Sequence, residues 1–182
     1  MDYPNAYIQY LVHFHGDRDY FECHEQLEEY WKMVDMKNRS SIWVGLIQLA
    51  VSLYHYRRAN TVGGIRLMQK ALNTIINNQK ELKSLSIDYE DLTIKMNTLL
   101  TKMKKYEEYQ SIDIKILDEE LLYHCKKKCE ITGFQWGNQN DVNNEFIINR
   151  HMLRDRTEIE KERKAAAISK KTNRDTRKLI RI

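Results

Sequence analysis

Residues 42–58, IWVGLIQLAVSLYHYRR, constrain the fold more than any other stretch, because they are apolar nearly all the way round a helical wheel. A helix without a polar face must be covered on several sides, so it belongs at the centre of a bundle. It is shorter than the roughly 20 apolar residues that cross a bilayer. It also carries Gln48, Ser52 and His55, so a buried core helix is expected and a membrane span is not. Those three polar residues, spaced i, i+4 and i+7, make a stripe down one side of it.

What surrounds that helix is also helical. The 182 residues include one Pro and six Gly, too few for a turn-rich β architecture. The expectation is an all-α, compact antiparallel helical bundle. A short helix covers PNAYIQYLVHFH, after which Gly16 and Asp17 supply a break and an N-cap. On the next helix, Tyr20, His24, Leu27, Trp31 and Val34 share one arc, with Phe21 and Glu28 on its shoulder. The central helix follows the cap candidates Ser40 and Ser41. NTVGG then breaks the chain before IRLMQKALNTIINNQ, and YEDLTIKMNTLLTKMKKYEEY aligns Tyr89, Leu92, Met96, Leu99, Met103 and Tyr106. A shorter helix ends near Gly133.

The character of the chain changes near Asn138. From Asp141 onward there are twelve Lys or Arg against seven Asp or Glu, so this end carries a net +5 and the preceding body −1, which together give the +4 of the chain. We therefore expect a bundle over 1–137 and a basic tail over 138–182, either a charged helix or disordered. Clustered basic residues could contact nucleic acid by displacing counterions from phosphate. This tail lacks interleaved aromatics and is diluted by Glu158, Glu160 and Glu162, so a solvated segment is expected. The N-terminus has no basic start followed by an apolar run, and three cysteines suit reduced thiols, so the cytoplasm is the expected compartment.

Two helices carry polar residues where a core face is expected. His24 and Glu28, one turn apart, could share a metal ion; HEQLE has the first half of the zinc-peptidase pattern H-E-x-x-H and lacks its second His. If this pair faces the stripe of the central helix, His24, Glu28 and His55 become ligands for a divalent metal such as zinc, manganese or iron. Glu25 becomes a general base or a group behind the ligands, and Gln48 orients a water or substrate. Tyr20, Trp31 and Tyr54 would roof the site. An internal hydrogen-bond network that fixes helix register explains the same residues equally well.

RDYFECHEQLEEYWK, WVGLIQLAVSLYHYRRAN and GGIRLMQKAL together resemble the domain-of-unknown-function-309 family, some of whose members carry the label predicted metal-dependent hydrolase. The resemblance covers roughly Phe14 to Leu72. Tyr20, Phe21, Glu22, His24, Glu25, Leu27, Glu28 and Trp31 match the family's Y-F-E-x-H-E-x-L-E-x-x-W pattern, with Trp31 following Glu28, Glu29 and Tyr30. Gly45 to Ala50 match its G-L-I-Q-L-A run, followed by His55, Arg58 and Asn60, with Ala59 where the family often has Gly. The resemblance implies a small helical bundle with a polar cluster from its first long helices, and a hydrolase of unknown substrate.

Other chemistry is less well supported. Cys125 and Cys129 beside His124 need a further ligand to hold zinc. Ser52 has no nucleophile elbow and no Asp to complete a triad. VGG has neither the strand nor the Lys-Ser/Thr of a phosphate loop. A non-enzymatic reading also stands, in which buried polar residues lock a helical interaction module that recruits a small molecule or protein through its tail or its tyrosine-rich surface.

Overall fold

The computed structural model describes residues 3–138 and 145–149, and the helices below lie within the unit that ends at Ile148. They are α1 (Asn5–His15), α2 (Tyr20–Asp35), α3 (Ile42–Arg57), α4 (Thr61–Asn77), α5 (Gln79–Ser84), α6 (Tyr89–Lys104), α7 (Glu119–Thr132) and the single turn α8 (Glu145–Ile148). No strand occurs among the described residues, where Ile87 and Ile116 form one isolated antiparallel bridge. The fold is all-α, as expected. None of the described helices is long and apolar enough to cross a membrane. Most of the charged extension expected from residue 138 lies outside the described residues.

The apolar helix is central. α3 packs against α2 on one side and α4 on the other, while α1 packs on α2 and α7, and α6 on α4. Leu46, Leu49, Ala50 and Leu53 are fully buried. On the α2 side, Trp43 meets Tyr30 edge-on at 5.1 Å and Tyr7 at 6.1 Å. On the α4 side small residues set the spacing. A Cβ on Gly45 would lie 3.2 Å from the Thr74 methyl, and one on Gly64 would lie 3.3 Å from the Ser52 carbonyl oxygen.

Several boundaries differ from the sequence reading. α2 is capped by Asp19, whose carboxylate accepts from the Glu22 amide at 2.9 Å. Asp17 instead pairs with His13 and accepts from the Asp19 amide. Gly63 and Gly64 do not break the chain; they form the first turn of α4, which Asn60 caps. α6 stops at Lys104, and Tyr106, placed on its apolar face by periodicity, is 76% exposed with φ of 56°. The short α5 has too few apolar positions to show a period.

One buried cation ties distant segments together. Arg18 is 1% exposed, sits at a φ of 57°, and fills the corner between α1 and α2. It donates to the carbonyl oxygens of Phe14, Ile112 and Asn138 and to Asp113 Oδ1. Arg57 donates to the Arg18 carbonyl at 2.8 Å and stacks over Tyr20. This pair orients the start of α2.

Candidate functional site

The core face of α2 is narrower than the wheel suggests. Tyr20, Cys23, Leu27 and Trp31 are buried, at the i, i+3, i+4 spacing of a packed stripe. His24 sits at the edge of that stripe with 23% of its side chain exposed, so the site is half-buried, not buried. Val34 is 48% exposed, as are Met33 at 76% and Met36 at 55%, so the apolar arc is not buried at the end of α2. Of the expected roof, Tyr20 and Trp31 turn elsewhere, and the ring beside His24 is that of Phe21. Phe21 lies 5.7 Å from the imidazole and 6.0 Å from Tyr54, whereas Tyr20 hydrogen-bonds Tyr109 and Trp31 donates to the Asn38 carbonyl.

Both ring nitrogens of His24 face carboxylates. Nε2 lies 2.8 Å from Glu28 Oε2, and Nδ1 lies 3.2 Å from Glu25 Oε1. Lys32, one turn further, reaches the other Glu28 oxygen at 2.9 Å. The His24 contact, reinforced by Lys32, holds the Glu28 carboxyl down at about 2 against the partial burial that opposes it. Among the described residues, His24, Glu25 and Glu28 are the one group whose donor atoms, within 4.8 Å of one another, suit a metal ion.

The stripe of α3 is directed elsewhere. Ser52 is buried and donates to the Gly64 carbonyl of α4 at 2.8 Å. His55 Nδ1 lies 2.9 Å from the Nδ2 of Asn60, the cap of α4. Partial burial pushes the His55 ring below its ordinary range, helped by Arg58 and Arg66, so it is neutral near pH 7. Gln48 Oε1 is buried and accepts no hydrogen bond. Of the five site residues read from the sequence, the structure gathers His24, Glu25 and Glu28 and leaves His55 and Gln48 outside that group. The Cys125, Cys129 and His124 chelate does not assemble. Burial pushes the two thiols up to about 12 and about 11, while His124 is 59% exposed on another face of α7.

A second polar cluster escapes sequence reasoning. His15, 1% exposed, stacks on Trp136 at 4.2 Å and 7°. Its Nδ1 lies 3.4 Å from Asp113 Oδ1, an ion-pair distance outside hydrogen-bond geometry, so neither ring nitrogen has a hydrogen-bond partner. His15 and Arg18 together hold the Asp113 carboxyl far below the usual range, and Arg18, at 2.5 Å, has the firmer grip. About 95 residues separate these groups in sequence, so no local spacing reveals them.

The donor set of the first cluster suits a divalent metal ion: His24 and Glu28 would hold it, and Glu25, on the other ring nitrogen, would fix the orientation of the imidazole. The site is open to one side. Two grooves, of about 700 and 520 Å³, are lined by other residues.

Residues 7–67 match the sequence pattern of a family described as Domain of unknown function (DUF309). The chain is similar to a curated relative, "Uncharacterized protein YpuF" of Bacillus subtilis (strain 168). The two are 43% identical over 173 residues, 95% of this chain and 99% of the relative. No solved structure matches.

Proposed function

The chain belongs to the DUF309 family, and on that premise we propose that it binds a divalent metal ion through His24 Nε2 and Glu28, with Glu25 steadying the ring. The observation that carries this reading is the single turn of α2 that brings one imidazole and two carboxylates within 4.8 Å at the edge of the core. A bound divalent ion would polarise a water or a substrate oxygen, which is the chemistry of a metal-dependent hydrolase. Each residue has a role apart from the metal. Glu25 holds the tautomer and can take a proton from water, Phe21 shields one side of the ring, and Lys32 holds the second Glu28 oxygen. Three buried free thiols suit the reducing cytoplasm.

The test is thermal unfolding of the untagged chain with added zinc or manganese. A ligand that binds only the folded state raises the melting temperature. Wild type should gain several degrees, while Glu28→Gln and His24→Ala should gain nothing. Equal shifts in all three would reject the site.

A second reading is favoured by Lys32. With Lys32 on one Glu28 oxygen and a ring nitrogen on the other, the carboxylate is satisfied without metal. His24, Glu28 and Lys32 are then a helix-edge network of a non-enzymatic interaction module. In that case His24→Ala lowers stability equally with and without added metal.

A further inference from the structure

Three of the large apolar side chains left exposed by the bundle lie along α7 or just before it: Leu117 at 55%, Tyr123 at 60% and Ile131 at 76%. Glu120, Tyr123, Lys127 and Ile131, spaced i, i+3, i+7 and i+11, make one outward stripe, while Leu121, Cys125 and Cys129 face the core. Beside the stripe runs the groove of about 700 Å³, with Tyr3 and Ile8 on its far wall. Charge along α7 is polarised. Asp118, Glu119 and Glu120 stand at its start, and Lys126, Lys127 and Lys128 in its second half, where Glu130 leaves a net charge of +2.

A helix with an acidic first half and a basic second half is complementary to its own reverse. We propose that this face binds a second copy of the chain about a two-fold axis, with the two α7 helices antiparallel. An axis between residues 123 and 124 sets Glu120 against the partner's Lys127 and Lys127 against the partner's Glu120. It brings Tyr123 beside the partner's His124, and Ile131 to the segment just before the partner's α7, which carries the exposed Leu117. Each contact occurs twice, as an isologous interface requires. A parallel pair would put like charges together, and a uniformly acidic or basic partner would meet repulsion at one end. Apolar contacts supply the affinity and the charges set the register. Metal binding on α2 has no part in this.

The test is the mass of the untagged chain in solution, by sedimentation over about a hundredfold range of concentration. Wild type should pass from monomer to dimer. Glu120→Lys and Lys127→Glu should each weaken the dimer by about tenfold or more. These residues are exposed, and circular dichroism checks that both variants fold. The double variant E120K/K127E should dimerise again, and mixing the two single variants should give a heterodimer, because opposite charges then face each other at both ends. A wild type that stays monomeric overturns the proposal and leaves the face to another occupant. A dimer indifferent to the single reversals, or one that neither the double variant nor the mixture restores, overturns the α7 interface.

Discussion

The hydroxyl of Ser52 donates to the carbonyl oxygen of Gly64 at 2.8 Å, joining the middle of α3 to the first turn of α4. A polar residue on the most apolar helix therefore serves packing. Ser52→Ala should cost about 1 kcal/mol, the usual net worth of such a bond. Gly64→Val should cost about 2 kcal/mol or more, because its branched side chain meets backbone that cannot move aside. Chemical denaturation of the two variants measures both.

Arg18 is a second point of dependence. Removing its side chain leaves three carbonyl oxygens and the Asp113 carboxylate without their donor. Arg18→Ala should lose about 1–3 kcal/mol, the cost of leaving buried carbonyl oxygens unsatisfied, since Asp113, 43% exposed, is rehydrated when the guanidinium is gone. Arg18→Gly loses the same contacts but relieves the positive φ, so it should be more stable than the Ala variant by about 1 kcal/mol. If both behave like wild type, the network does not hold the segment around Ile112.

His15 is buried, and neither of its ring nitrogens makes a hydrogen bond. Burial, with some help from Arg18 and Lys95 and against the pull of Asp113, pushes its pKa below the ordinary 6.5. The folded chain then binds fewer protons than the unfolded chain as pH falls through 6.5, so His15 costs stability on the acid side. His15→Phe keeps a ring against Trp136 and removes both orphans. It should be at least as stable as wild type at neutral pH and should lose less stability between pH 7 and 5.

Glu28 behaves in the opposite limb. Its carboxyl lies at about 2 when folded, against the ordinary 4.5. Its contribution is therefore fully present above pH 4.5 and is lost as the pH falls toward 2. Because a third of the side chain is exposed, solvent screening limits that contribution to about 1 kcal/mol. Glu28→Gln should be less stable than wild type by about that amount at pH 7 and should converge with it near pH 2, as followed by urea unfolding across pH.

The helices were legible because their apolar residues recur at helical spacing. α3 stood out by having no polar face, and α7 ends at Gly133 with the positive φ that a helix stop favours. The α2 site was legible only in part. A wheel ranks residues by angle alone, so it could not show that Cys23 lies deeper than His24, or that Val34 is left exposed. Nor could it show that the Gln48, Ser52 and His55 stripe turns to α4, because the side on which each neighbour packs is set by tertiary contacts such as the close approaches at Gly45 and Gly64. The Arg18, His15 and Asp113 cluster depends wholly on long-range closure.

Elemental analysis of the untagged, purified chain beside its His24→Ala variant tests the metal site most directly. Near-stoichiometric zinc, manganese or iron in wild type, absent from the variant, is the predicted result. A wild type that carries no metal and takes none up on dialysis against these ions would contradict it.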